Sequence, residues 1–431
     1  MFDCIIVGGS LPGLALGAML SKSGRRVLLL ERKGVAGGRA APWHRDGYTS
    51  LQGIPRIRYG EKGPFFKICQ FLGWRPPLIH MNRAWVLDTH GDLQRITVGK
   101  PGLLRADFLS PLDRFFAWRL FRALRTEKLE ELEEMSLEEW FVRNKIRVSL
   151  QKYFQVLACE STHCTTLDRI SAGETLRSFR KSFQLGAYLS YPRWGWLPVF
   201  ERFQQEIRDN GEVRFRTRVE GIEIQRGMVA GVKVAGRLLA SSSVVCAIPC
   251  QKLFRLLAPG VTTSEYVGLC RQAKPSTGLI VDFALNRRVS RAKGMWFFLD
   301  PPAYGVFLSN LCHRHAPVGR QLASFVCPCS QEEAGQPEML QTLEMKIEAN
   351  LRRACPAIET AIEWKRSHWV RMIDSVAIRV DQTRKDRPGY RVPQVEGLYL
   401  VGDSTFAPGS SWEMEYESVL ACFERITGQG A

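Results

Sequence analysis

Residues 4–31 read CIIVGGSLPGLALGAMLSKSGRRVLLLE, and this stretch decides the fold. A short apolar strand over 3–7 runs into a glycine-rich turn over 8–13 and then into a compact helix over 14–23. A second apolar strand follows over 26–30. Continuous apolar strands around a helix are typical of a parallel sheet that is buried on both faces. We therefore predict an α/β protein with a Rossmann-like, doubly wound nucleotide-binding domain.

The turn and the strand that follows carry the residues of a dinucleotide site. Gly8 permits the tight turn, and Gly13 lets the helix approach the strand, so that the helix's positive end attracts a pyrophosphate. Ser10 stands where the usual pattern has its middle glycine. Its side chain limits how closely the backbone can approach the ligand. Glu31 ends the second strand, where a carboxylate accepts hydrogen bonds from an unphosphorylated ribose.

Two further stretches address the same ligand. Gly37-Gly38-Arg39 combines a close backbone bend with a cation for a phosphate or a ring edge. LYLVGDS over 398–404 is an apolar strand that delivers Asp403 beside a second helix start. We expect the stretches near 8–39 and 402–414 to converge around one ligand.

The order of these motifs resembles one superfamily along the whole chain. VGGSLPGL (7–14), LLLERKGVAGGRA (28–40), YPRWGWLPVFERF (191–203), RTRVEGI (216–222) and GLYLVGDSTFAPG (397–409) are similar to the flavin-dependent phytoene desaturases, protoporphyrinogen oxidases and monoamine oxidases. The phytoene-desaturase-like branch is the most similar. The resemblance implies non-covalently bound FAD, held by Gly8, Ser10, Leu11, Pro12, Gly13, Glu31, Arg32, Gly38, Arg39, Val219, Gly402, Asp403 and Met414.

Changes in the residue pattern along the chain, from short apolar strands to longer helices and back, predict two interleaved domains. The FAD-binding domain is expected in three pieces, and an inserted α+β substrate domain fills the gaps. Within the FAD-binding pieces, the residue pattern predicts a strand over 213–219 and a closing helix over 417–426. The predicted FAD-binding segments are 1–58, 186–251 and 386–431, and the substrate segments are 59–185 and 252–385.

The chain departs from the superfamily's pattern where small residues usually face the flavin. It has Ser411-Trp412-Glu413-Met414-Glu415 there instead. Glu413 and Glu415 are the candidate general bases, provided that one of them faces the flavin. Trp194, Trp196 and Trp412 are the candidate walls of the substrate pocket, with core packing as the alternative for the first two.

The resemblance implies desaturation of a lipophilic substrate such as an isoprenoid or polyene. Hydride would pass to flavin N5, and oxygen or a quinone would accept the electrons. Two alternatives stay open: a flavin amine oxidase, and a flavin-free binder of prenylated protein similar to the GDP-dissociation inhibitors. Residues 404–415 contain no cysteine for a covalent tether, and Lys274 falls too early for the amine oxidases' lysine.

The formal charge of +17 predicts anionic partners. No nucleic-acid motif accompanies the charge, so we expect no nucleic acid and favour peripheral contact with an anionic membrane by a cytoplasmic protein. In the stretch Leu112–Lys128, one apolar stripe at helical spacing is formed by Leu112, Phe116, Leu120, Ala123 and Leu124. The opposite side interleaves arginines with aromatics, which suits a membrane interface or a helix packed on the core. The 12 scattered cysteines and the seven histidines, His163 included, show no metal-ligand spacing, so no metal is expected.

Overall fold

The computed structural model describes residues 2–97, 109–164, 166–186 and 189–428. The strands are β1 Cys4–Val7, β2 Val27–Leu30, β3 Pro42–Arg45, β4 Tyr48–Leu51, β5 Ile57–Arg58, β6 Leu78–Met81, β7 Arg83–Leu87, β8 Leu93–Thr97, β9 Leu189–Pro192, β10 Glu212–Arg214, β11 Gly221–Gln225, β12 Met228–Val234, β13 Arg237–Ala240, β14 Val244–Cys246, β15 Gly278–Leu285, β16 Met295–Leu299, β17 Pro302–Phe307, β18 Gln321–Pro328, β19 Ile362–Val370 and β20 Leu398–Leu400. The helices are α1 Leu11–Lys22, α2 Pro64–Phe71, α3 Pro111–Thr126, α4 Leu137–Arg143, α5 Val148–Thr162, α6 Ala172–Leu185, α7 Leu197–Arg208, α8 Cys250–Leu253, α9 Ser264–Gln272, α10 Leu308–Leu311, α11 Gln331–Ala334, α12 Pro337–Ala354 and α13 Trp412–Thr427.

A five-stranded parallel sheet in the order β10-β2-β1-β14-β20 forms the nucleotide-binding half. Its three central strands are buried along their whole length, as the continuous apolar runs predict. Helix α1 crosses from β1 to β2 and is buried from Leu11 to Ser21. The predicted fold class is confirmed.

This topology gathers one end of each strand at a single edge. Gly8, Glu31, Ala247 and Val401 each directly follow a parallel strand. In an open parallel sheet, the carboxyl ends of the strands are where ligands bind. The strands come from the three predicted FAD-binding segments, although the exact domain boundaries stay a prediction.

A seven-stranded sheet in the order β19-β15-β18-β17-β16-β7-β8 forms the second half. All its neighbours are antiparallel except β16 and β7, which pair in parallel from Met295 with Ala84 to Phe298 with Leu87. Helix α12 packs on one of its faces through Ile347 and Leu351. Within the described ranges, no helix is both long and apolar enough to cross a membrane.

Three elements differ from their predicted form. Helix α13 begins at Trp412 rather than Glu417, so the acidic residues before it belong to its first turn. Of the predicted strand over 213–219, only the start forms a strand, which spans Glu212–Arg214. Helix α3 buries Leu120 and Leu124 of the predicted stripe, but Phe116 and Ala123 are only partly buried and Leu112 is exposed. Ala117 and Phe121 are buried in addition, and the ring of Phe121 packs edge-on against Phe183 with 4.7 Å between the ring centroids.

Candidate cofactor and substrate site

A cavity of about 540 Å³ opens at the carboxyl edge of the parallel sheet. Its size lies within the usual range for small-molecule sites. Residues from all three predicted FAD-binding segments line it together. The predicted cofactor residues in its lining are Gly8, Ser10, Pro12, Glu31, Arg32, Gly38, Arg39, Val219, Gly402 and Asp403.

The glycine-rich turn is shaped by contacts that no side chain could share. Gly8 has φ +111°, and a Cβ there would lie 2.7 Å from the carbonyl oxygen of Ala247. A Cβ at Gly13 would lie 2.3 Å from the carbonyl oxygen of Gly8. Leu11 and Gly13 are buried behind the turn rather than in the cavity lining. The two glycines therefore hold the positive end of α1 at the cavity.

The hydroxyl of Ser10 is not free to bind a ligand as a donor. Its Oγ donates a hydrogen bond to the carbonyl oxygen of Ala247, over 2.9 Å. The serine therefore links the turn after β1 to the loop after β14.

Glu31 is fixed at the other side of the turn. Its Oε2 accepts a hydrogen bond from the Gly9 amide and its Oε1 from the Lys33 amide, each over 2.7 Å. Glu31 also lines the cavity. A carboxylate held in this way is oriented before a ribose arrives.

Basic side chains outnumber acidic ones in the lining. The acidic residues are Glu31, Glu220 and Asp403, and the basic ones are Arg32, Lys33, Arg39, Arg218, Lys252 and Arg255. The pKa of Lys252 is lowered by burial and by Arg32 and Arg255. Excess positive charge around a cavity fits a ligand that carries phosphates. The donors present therefore suit a dinucleotide.

Among these cations, only Arg32 and Arg39 are predicted from the sequence. Arg218 lies in the RTRV stretch, where a basic residue stands at every second position. That alternation could have indicated Arg218 as a further cation of the site. Lys252 and Arg255 lie on and just after the short helix α8, which follows β14. Their approach depends on the sheet order, which the local sequence does not encode.

Arg39 joins the first and last parts of the site. Its Nη1 lies 2.6 Å from Asp403 Oδ2 and donates to the carbonyl oxygen of Ile373 over 2.8 Å, and its Nη2 lies 2.7 Å from Glu415 Oε1. Burial, opposed by Arg39 and reinforced by Asp403 and Asp374, raises the pKa of Glu415 to about 8. Glu415 thus faces Arg39 rather than the cavity.

Glu413 also faces protein groups rather than an open space. Its carboxylate accepts hydrogen bonds from Lys181 Nζ over 2.5 Å and from the Tyr59 hydroxyl over 3.2 Å. Burial raises its pKa. Neither Glu413 nor Glu415 lines a described cavity, and a role as general base stays a prediction for both.

The remaining predicted residues are distributed around the site. Met414 packs with Ile378, Tyr390 and Ala407 in a small buried cluster. Trp412 lines a small recess that also includes Arg39. Trp196 stacks on Phe200 with ring centroids 6.1 Å apart, and Trp194 is 40% exposed, so these two tryptophans lie outside the described cavities.

His163, which lines the same recess, belongs to a buried pair that the sequence did not reveal. His163 Nδ1 lies 2.5 Å from Asp374 Oδ2, and Ser411 Oγ lies 3.2 Å from Asp374 Oδ1. Burial would raise the pKa of Asp374, but His163 and Arg39 together lower it. The two partners are 211 positions apart, so no local spacing indicated them.

A second, smaller cavity of about 110 Å³ lies between the seven-stranded sheet and helices α5 and α6. Its polar end is the buried ion pair Arg58–Glu160, with 2.8 Å between Nη2 and Oε2. Tyr59 lines this cavity and also donates to Glu413 on α13. The apolar lining consists of Met81, Ala84, Ile96, Tyr153, Phe154, Leu157, Phe179, Phe183, Leu189, Met295 and Phe297.

Comparisons with known proteins agree with this architecture. The family model for flavin containing amine oxidoreductase matches residues 11–418. The chloroplastic prolycopene isomerase of Arabidopsis thaliana is 21% identical, over 99% of this chain and 82% of that protein.

Solved structures share the fold. An oxidoreductase from Methanosarcina mazei superimposes with a TM-score of 0.81 at 19% identity, covering 98% of this chain and 99% of that one. A Rab GDI from Plasmodium falciparum gives 0.62 at 14% identity, covering 100% and 99%. At such identities the likeness establishes the fold alone.

Proposed function

Because this chain belongs to the flavin containing amine oxidoreductase family and is thus a flavin-dependent oxidoreductase, we propose that it binds FAD non-covalently and dehydrogenates a lipophilic substrate. One observation carries the proposal: residues 8–39 and 401–403, from opposite ends of the chain, line a single cavity. A dinucleotide suits such a cavity, because it can present one polar group to each of the two segments.

The lining favours FAD over a mononucleotide. Glu31 would accept hydrogen bonds from the adenosine ribose hydroxyls, and the start of α1 with the surrounding cations would hold the pyrophosphate. Asp403 would accept hydrogen bonds from hydroxyls of the ribityl chain. Non-covalent binding is supported by Cys422, which is fully buried within α13.

When bound, the flavin would supply an acceptor for a hydride from a substrate carbon, and oxygen or a quinone would serve as final acceptor. The protein's share is to orient the substrate and exclude water. The second cavity supports a lipophilic substrate, such as an isoprenoid or polyene, because most of its lining residues are aromatic or aliphatic and its charged residues are confined to the Arg58–Glu160 end.

Amine oxidation is the alternative that the family's description keeps open. Lys274, the only lysine considered for that role, pairs instead with Asp381 over 2.7 Å at a half-exposed position. A GDP-dissociation-inhibitor-like role needs no flavin, and the Rab GDI structure shares the fold. The cationic lining around Glu31 favours a phosphate-bearing cofactor over that role.

Absorption spectroscopy of the purified protein tests the cofactor. We expect a flavin spectrum, release of the chromophore on denaturation, and FAD rather than FMN by chromatography. A colourless protein that takes up neither flavin would overturn the proposal, and a chromophore that stays on the denatured chain would contradict non-covalent binding.

Anaerobic bleaching of the bound flavin tests the substrate class. Isoprenoids and polyenes are expected to bleach it, while primary amines and polyamines leave it oxidised. Bleaching by amines alone would favour the amine oxidase.

A further inference from the structure

Helix α3 has two unlike faces. Ala117, Leu120, Phe121 and Leu124 are buried against the protein. On the other side, Leu112, Phe115 and Trp118 are 59%, 54% and 52% exposed, and the last two rings stack at 6.3 Å. A soluble face rarely presents three large apolar side chains within two turns.

The helix that carries this apolar ridge is itself basic. Helix α3 contains four arginines and a single acidic residue, Asp113. Asp113 is buried at the helix start, where Ser110, Ser149 and Arg147 surround it. Its charge is therefore offset within the protein, and the arginines give the outer face a net positive charge.

A recess beside the ridge would accept an anionic group. It has a volume of about 250 Å³ and is lined by Arg119, Arg122, Thr126 and Asn144 together with apolar side chains. The two guanidinium groups are the donors that suit a phosphate. The Thr126 hydroxyl already donates to backbone carbonyls of its own helix, and one N–H of the Asn144 amide donates to the carbonyl oxygen of Trp140.

We propose that this surface, defined by Leu112, Phe115, Trp118, Arg119 and Arg122 and called here the α3 face, docks on an anionic phospholipid membrane. The aromatic ridge would enter the interface between headgroups and acyl chains, and the recess would take a lipid phosphate. Membranes supply both chemistries at this spacing, and the charge of the whole chain, +17, is complementary to their surface.

Helix α3 also packs beside the apolar cavity, through the side opposite to the α3 face. Phe121, on the buried side of α3, packs against Phe183, which lines that cavity. Arg180 of α6 donates to the carbonyl oxygen of Glu127 over 2.5 Å, just beyond the end of α3. A lipid-soluble substrate would thus leave the membrane next to the cavity; this consequence alone rests on the proposed function.

Flotation with lipid vesicles tests the docking without any substrate. The full chain with its cofactor is mixed with vesicles of phosphatidylcholine and phosphatidylglycerol at a ratio of about 2:1, or of phosphatidylcholine alone. We expect binding to the mixed vesicles and at least about tenfold weaker binding to the neutral ones. R119Q/R122Q should lower partitioning about thirtyfold, since each arginine at an anionic surface contributes about 1 kcal/mol. F115A/W118A should also release the protein.

Matched variants separate the α3 face from bulk charge. R226Q/R237Q removes two exposed arginines from the β11–β13 sheet, and W194A removes an exposed tryptophan elsewhere. Both should bind like the unmodified protein, and circular dichroism should show every variant folded. The proposal fails if the unmodified protein ignores anionic vesicles, or if R226Q/R237Q weakens binding as much as R119Q/R122Q. It also fails if light scattering shows a dimer that F115A/W118A disperses while vesicle binding is unchanged.

Discussion

The guanidinium of Arg39 lies 2.6 Å from the carboxylate of Asp403, so a residue from the first glycine-rich segment is paired with one from the last strand-to-helix turn. The second nitrogen of the same guanidinium, Nη2, lies 2.7 Å from Oε1 of Glu415. The Arg39 side chain is only 25% exposed. Removing it would leave two buried carboxyl groups without their cation.

Replacing Arg39 with methionine should lower the free energy of unfolding by about 3–5 kcal/mol, because a broken buried ion pair leaves an uncompensated charge. Urea denaturation of the flavin-free protein measures this. Lys128→Met breaks the exposed pair with Glu131, at 3.3 Å, and should cost less than about 1 kcal/mol. Equal costs for the two variants would contradict the role given to Arg39.

Glu31→Gln should weaken FAD binding about ten- to a hundredfold, because hydrogen bonds to a charged group contribute about 1.5–3 kcal/mol. Titration of the flavin-free protein with FAD, followed by flavin fluorescence, gives the dissociation constant. Glu220→Gln is the matched change in the same lining, and its carboxylate already accepts from the Gly236 amide. It should leave affinity within about threefold. A loss at Glu220 as large as that at Glu31 would speak against a ribose contact at Glu31.

Gly13→Ala should destabilise the protein by about 1–3 kcal/mol and reduce flavin content, because the added methyl would meet backbone 2.3 Å away. Gly268→Ala is the control. Gly268 is also helical, has open space around it, and should gain up to about 1 kcal/mol. Thermal unfolding and the ratio of flavin to protein absorbance report both effects. A neutral Gly13→Ala would mean that α1 is not held against the turn.

Glu415 should make stability depend on pH. Its folded-state pKa of about 8 lies above the ordinary value of 4.5, so the folded protein holds this proton more tightly than the unfolded chain. The stability it contributes is complete below pH 4.5 and is lost as the pH rises through about 8. Glu415→Gln should therefore reduce the fall in unfolding free energy across this range, by on the order of 5 kcal/mol. Parallel pH dependence in both proteins would show that Glu415 titrates normally.

The motifs that could be predicted are those encoded locally. The Gly8–Gly13 turn and Glu31 follow from apolar strands flanking a glycine run, and Asp403 from the same logic at a second strand end. Contacts between distant segments had no such signal. The sequence alone does not show that His163 meets Asp374 or that Lys181 offsets Glu413, so a run of acidic residues could not be recognised as the buried first turn of α13.

Strand β20, at residues 398–400, forms one edge of the parallel sheet, beside β14. During translation, the glycine-rich turn emerges from the ribosome long before this strand and before Asp403. The nascent chain must therefore be synthesised as far as Asp403 before the two sides of the cavity can meet, and pairings so distant in sequence form slowly. A premature stop codon between residues 40 and 398 would leave a polypeptide with the glycine-rich turn, Glu31 and Arg39 but without the groups that complete the pocket.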